Sequence, residues 1–125
     1  VVGFTQQKGS EAEDRACLYL QAQGLTLVQR NYRVARGPSR RGGEIDLIMR
    51  APDGTLVFVE VRSRAQACQG GAGASVTWVK QRRLALAAQH FLLRWPFPPP
   101  CRFDVVAVEG KDLHWWPSAF DVAAY

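Results

Sequence analysis

Residues Gly43 to Arg64, GEIDLIMRAPDGTLVFVEVRSR, decide how this chain folds. The stretch reads as two strands joined by a tight turn at Pro52-Asp53-Gly54, with Glu44 and Asp46 on the first strand and Glu60 and Arg62 on the second. Side chains alternate between the two faces of a strand, so the parity of the turn decides which residues meet. An odd turn sets Ala51 against Thr55, Met49 against Val57, Leu47 against Val59 and Ile45 against Val61, which makes one continuous apolar face. The same register sets Ile48 against Phe58, Asp46 against Glu60 and Glu44 against Arg62. A two-residue turn would oppose Asp46 to Val61 and scramble both faces, so the odd turn is expected. Asp46 facing Glu60 is then a repulsive pair. Because Ile48 and Phe58 share their face, solvent dilutes that repulsion only in part. Either one carboxyl holds a raised pKa or a cation sits between the two. With no His or Cys beside them, these oxygen donors suit Mg²⁺ or Mn²⁺. The plain alternative is a solvent-facing hairpin that tolerates acids near its edge.

Upstream, Ser10-Glu11-Ala12-Glu13 has the form of a helix capping box, with Ser10 as N-cap and Glu13 at the third helical position. The helix is expected to run to Gly24. Glu13, Cys17 and Leu20 follow i, i+4, i+7 spacing, which puts Glu13 at the top of an inward-leaning stripe. Leu25 to Val34 has the β-branched and aromatic content of a strand. From Arg30 to Arg41 come Arg30, Arg33, Arg36, Arg40 and Arg41 with no acid among them. Such guanidiniums suit phosphate contacts, and a solvated basic loop is the alternative.

Downstream, Ala65 to Ser75 is a small-residue connection without the pattern of a phosphate-binding P-loop. Val76 to Trp95 is expected as a helix with Leu84, Ala88, Phe91 and Trp95 inward and Lys80, Arg83, His90 and Arg94 on a basic face. Pro96 to Pro100 ends it. Arg102 to Glu109 reads as a central strand and Leu113 to Trp116 as a short edge strand closed by Pro117. Ser118 to Phe120 is expected as a turn of helix. The order α-β-β-β-α-β-β describes an α/β (α+β) fold with a mixed sheet.

At 125 residues the chain is expected to be a single domain. No apolar run approaches the roughly 20 residues that span a bilayer, and Val1 to Ser10 does not resemble a signal peptide, so a soluble, cytoplasmic protein is expected. The net charge of +5 favours a polyanionic partner, nucleic acid before an anionic membrane surface. Cys17, Cys68 and Cys101 are scattered, which excludes a zinc cluster and fits reduced thiols. His90 and His114 are far apart, so any chemistry here falls to carboxylates.

Several blocks together resemble the YraN family of small bacterial proteins. They are Glu13 with Ala16 and Leu20, Asn31-Tyr32-Arg33, Gly43-Glu44-Ile45-Asp46-Leu47-Ile48, Phe58-Val59-Glu60-Val61-Arg62-Ser63-Arg64, Lys80, and Arg102-Phe103-Asp104-Val105-Val106. The likeness runs from about Gly9 to Phe120. It implies a single restriction-endonuclease-like domain over residues 1–125, with its core at about 9–120, and kinship to Holliday-junction resolvases and other nucleases with a D…(D/E)-x-K core. By position, Asp46 matches the core aspartate, Glu60 the second acid and Arg62 the place of the lysine. Glu13 matches an acid that often completes such sites, and Lys80 a basic position near the site or substrate. The resemblance therefore implies a Mg²⁺- or Mn²⁺-dependent endonuclease acting on DNA rather than RNA, with branched or flapped DNA among the candidate substrates. Asp46, Glu60 and Glu13 would be the metal ligands, Arg62 would contact the scissile phosphate, and Glu44 would be a supporting or alternative carboxylate. Arg30, Arg33, Arg36, Arg40, Arg41, Arg64, Lys80 and Arg83 would hold nucleic acid, and a homodimer is a further expectation. Arg62 is the departure, because arginine stays protonated where lysine can exchange a proton. A nucleic-acid-binding protein with little turnover, or a partner-binding protein with a relic site, are the alternatives.

Overall fold

The computed structural model of the chain describes residues 3–35, 42–63 and 76–121, with the backbone alone for 3–10. The elements are α1 (Gly3–Ala22), β1 (Thr26–Val34), β2 (Gly43–Arg50), β3 (Leu56–Ser63), α2 (Trp78–Leu92), β4 (Cys101–Glu109) and β5 (Asp112–Phe120). They form one five-stranded sheet in the order β1-β2-β3-β4-β5. Only β3 and β4 run parallel, and α2 lies in the crossover between them. The fold is thus α+β with a mixed sheet, in the element order that the hydrophobic periods dictate. β4 is interior but not central, since β3 occupies the middle.

The hairpin turn has the expected odd length. Ala51 N–H donates to Thr55 O at 2.9 Å and Gly54 N–H to Ala51 O at 2.9 Å, while Thr55 N–H is held by Asp53 Oδ1 at 3.0 Å. Gly54 has φ +92°, the left-handed residue that closes a three-residue hairpin loop. The ladder then pairs Met49 with Val57, Ile48 with Phe58 and Leu47 with Val59, as parity requires. Beyond Leu47 it stops.

That stop overturns the rest of the expected register. Ile45–Val61, Asp46–Glu60 and Glu44–Arg62 are not ladder pairs. Ile45 packs into the cluster around α2, with Phe58, Leu84 and Phe91, whereas Leu47 and Val59 pack into the cluster around α1, with Ala16 and Leu20. Two residues apart on one strand should share a face, so the alternation breaks at Asp46. The neighbouring strand breaks in step. Arg30 pairs with Leu47 and reaches α1, while Tyr32 pairs with Ile45 and joins the α2 cluster. Between them Asn31 has φ 53°, a left-handed conformation that Asn tolerates better than most residues.

Helix ends follow local chemistry. α1 finishes in a Schellman motif, with Gly24 at φ +100°, Leu25 N–H bonded to Leu20 O at 3.1 Å and Gly24 N–H to Gln21 O at 3.0 Å. Its start is not at Ser10, because the helix extends back to Gly3 and the capping-box signal lies within it. Gln and Lys in that extension are good helix formers, so nothing local stops the helix there. α2 begins later than expected because Thr77 caps it, its Oγ1 accepting from Lys80 N–H at 3.2 Å. The helix ends at Leu92, and Trp95 packs from the turn beyond it.

β5 corrects a second expectation. It runs through Pro117 to Phe120, and no helical turn forms there. The register slips between the Phe103–Phe120 and Val105–Trp116 pairs, and Ser118 takes φ 51° in the resulting bulge. Pro117 lacks an N–H but sits on an edge strand at a bulge, where proline is tolerated. Asp104, fully buried, anchors this bulge by accepting from Ser118 N–H at 2.9 Å, Trp115 Nε1 at 2.9 Å and Arg102 Nε at 3.0 Å.

Candidate active site

Where β2 and β3 part, the Asp46 carboxylate turns sideways and takes over a backbone bond, Oδ2 accepting from Val61 N–H at 2.8 Å. Glu60 continues the face of Phe58 toward α2 and is only 4% exposed. The two carboxyl groups lie close enough that the charge of Glu60 raises the Asp46 carboxyl. Burial first, and the Glu60 charge second, push the Asp46 carboxyl up to about 8. Glu60 is also raised by burial, against the lowering effect of Lys80, of neighbouring Asp46 and of Arg62. The pair meets not as a cross-strand pair but because one strand splays.

Two cations face it. Lys80 Nζ on α2 lies 3.5 Å from Glu60 Oε2, and the Arg62 guanidinium lies 3.9 Å from the same oxygen. The position of Lys80 depends on how α2 seats on β2. Gly43 permits this seat, since a Cβ there would lie 2.4 Å from Arg83 O and 2.7 Å from Ala87 N. Arg83 Nε donates to Gly42 O at 3.1 Å and pins the same contact. Tyr32 OH bonds His90 Nδ1 further along the helix.

The remaining acids are placed differently. Glu13 is close enough for its charge to raise Asp46, but its Oε1 is held by Arg30 at 3.4 Å. Arg30 also bonds Asp14 Oδ1 at 2.6 Å, so this arginine is part of the α1–β1 contact rather than a free phosphate clamp. Glu44 pairs with Arg33 at 3.1 Å instead of Arg62. Among the described residues no group of three His, Cys, Asp or Glu side chains is close enough to hold a metal. Arg36, Arg40, Arg41 and Arg64, like the Ala65–Ser75 connection and Cys68, lie outside the described residues. A groove of about 360 Å³ is lined by Arg33, Glu44, Gly43 and Arg83, with neither Asp46 nor Glu60 in its wall.

The donor chemistry fits one hard divalent ion. Two like-charged carboxyl groups held close together offer oxygens to a cation that offsets their repulsion. Mg²⁺ is commonly held by one or two carboxylates while keeping several waters. A second cavity, of about 540 Å³, lies between Ala85, Ala88 and Leu92 of α2 and Phe103 and Phe120 of the sheet, with none of these carboxylates in its wall.

Sequence reasoning missed two things here. It had no signal for the splay at Asn31 and Asp46, and it treated Asp104 only as part of a strand. No helix among the described residues is long and apolar enough to cross a membrane.

The profile of the uncharacterised protein family UPF0102 matches residues 12–108. The chain is 60% identical to a UPF0102 protein of Acidovorax sp. (strain JS42) over 95% of this chain and 88% of that one. It is 59% identical to a UPF0102 protein of Methylibium petroleiphilum, over 95% of this chain and 98% of the relative. A UPF0102 protein of Cupriavidus necator is 59% identical over 94% and 85%. The matched span includes Glu13, Asp46, Glu60, Arg62 and Lys80, and the chain belongs to the uncharacterised protein family UPF0102, the YraN family.

Proposed function

We propose that this protein is a metal-dependent nuclease that hydrolyses phosphodiester bonds in DNA. The observation that carries the reading is the neighbouring pair of Asp46 and buried Glu60 with Lys80 and Arg62 against Glu60. Asp46 and Glu60 would hold Mg²⁺ or Mn²⁺, with Glu13 joining if it leaves Arg30. When bound, such an ion activates water and offsets charge at the phosphoryl group. Arg62, always protonated, stabilises charge on the scissile phosphate. Lys80 Nζ brings a second positive charge to Glu60 from the helix, beside that of Arg62 from the strand. The mixed sheet with a helix on each face is compatible with the nuclease fold that the family resemblance implies. DNA is favoured over RNA by that resemblance alone.

The test is incubation of linear and structured DNA with and without Mn²⁺, comparing wild type with Asp46→Ala. Metal-dependent cleavage lost in the variant supports the reading, and cleavage that survives it points to a contaminating nuclease. A second reading, binding without turnover, is favoured by Arg62 and by the two-acid donor set. Salt-dependent binding with no cleavage, even for Arg62→Lys, would select it.

A further inference from the structure

α2 contains no acidic residue, and its cations gather on one flank. Successive residues of a helix turn by about 100°, so Lys80, Arg83, Ala87 and His90 fall within one arc of about 80°. Contacts place that arc over β1 and the start of β2. Arg83 Nε donates to Gly42 O, Ala87 lies against Gly43, and His90 Nδ1 bonds Tyr32 OH. Arg94, in the turn beyond the helix, continues the row. Its guanidinium carbon lies 5.6 Å from the Tyr32 ring centroid and 4.0 Å from that of Phe91. β1 is an edge strand, and His90 and Arg94 are exposed there. At its other end the row reaches the carboxylates, with Lys80 Nζ 3.5 Å from Glu60 Oε2.

Structural needs account for only part of this row. The negative end of a helix dipole favours cations at His90 and Arg94, but the positive end disfavours Lys80 and Arg83 in the first turns. Arg94 also covers Phe91, which a neutral side chain could do. Arg83 bonds a carbonyl and Arg94 lies on aromatic rings, contacts that leave both charges in place. From Lys80 to Arg94 the row covers about 21 Å, the axial length of about six base pairs. A chain of phosphates is the ligand that matches a row of cations of that length.

We propose that Lys80, Arg83, His90 and Arg94 form a track for the nucleic-acid backbone, which leaves the carboxylates along the β1 edge of the sheet. The proposal rests on the nuclease-site reading and deepens it, since it says on which side of the cut the substrate is held. Affinity for a labelled DNA duplex is measured by fluorescence anisotropy in EDTA between about 50 mM and 200 mM salt. Arg94→Ala should weaken binding and reduce the salt slope by about one, and Arg94→Lys should restore the slope. The lysine variant separates the charge of Arg94 from its packing on Phe91, and a thermal melt confirms that each variant folds. Arg82→Ala removes the same charge from the same helix, about 100° round from Arg83 and beside Trp78, and should leave the slope near that of wild type. If the slope is unchanged in Arg94→Ala, is not restored by Arg94→Lys, or falls as far in Arg82→Ala, the track is wrong. Failure of wild type to bind DNA in EDTA overturns it too. Mn²⁺-dependent cleavage by wild type is scored separately, so the nuclease reading stands or falls on its own.

Discussion

At the scale of single residues, Asp46 controls what this protein does with pH. Its carboxyl is held near 8 in the folded chain against 3.8 in an unperturbed one. Unfolding between those values releases a proton, so the metal-free protein should lose stability as pH rises from about 4 to about 8 and change little beyond. Urea melts across that range should show the decline, and Asp46→Asn should flatten it. A divalent ion must displace the same proton, so Mn²⁺ should raise the melting temperature more at pH 8 than at pH 6. Lys80 lowers both carboxyls. Lys80→Ala should therefore move the midpoint of Mn²⁺ binding to higher pH, read by calorimetry in buffers of stepped pH. Asn31 belongs at this scale too, since its left-handed backbone accompanies the splay. Asn31→Val should destabilise by about 1–3 kcal/mol, whereas Asn31→Gly should be tolerated, as chemical denaturation can check.

At the scale of elements, two seats hold the fold, and the site depends on the first. Gly43 lets β2 touch the backbone of α2, and Gly43→Ala puts a methyl group against Arg83 O and Ala87 N. Backbone cannot yield as a side chain can, so α2 must shift, and Lys80 with it. The expected result is weaker Mn²⁺ binding together with a melting temperature several degrees lower. The other seat is the β5 bulge on Asp104. Asp104→Ala leaves Arg102, Trp115 and Ser118 without their acceptor and should cost about 2–4 kcal/mol, measured by urea unfolding, while leaving the carboxylate pair in place. Element identity was readable before the structure, because apolar spacing and punctuation by Gly24, Gly54 and Pro96 act locally. Element ends were less so. Ser10 carries the chemistry of a cap in the middle of a helix, and Pro117 looked like a stop until a bulge gave it room.

At the scale of the whole molecule, the charge of +5 sits on a fold whose described arginines are mostly engaged. Arg30, Arg33, Arg83 and Arg102 each hold a protein oxygen. Those bonds compete with phosphate, so a nucleic-acid complex is expected to have a shallower salt dependence than the arginine count suggests. Affinity measured between 50 mM and 200 mM salt gives the number of phosphates neutralised. The sequence by itself determined the two helices, the five strands, the odd hairpin turn and the placing of Asp46 and Glu60 on adjoining strands. Those follow from side-chain period and turn chemistry, which operate over a few residues. Only the tertiary structure decided how the acids meet. Strand parity predicted Asp46 opposite Glu60, but Ile45 is drawn to the α2 core and Leu47 to the α1 core, which no local rule foresees. The strand splays between these two pulls, Asp46 swings onto Val61 N–H, and Lys80 arrives from a helix twenty residues beyond Glu60 to face the hairpin's pair of acids.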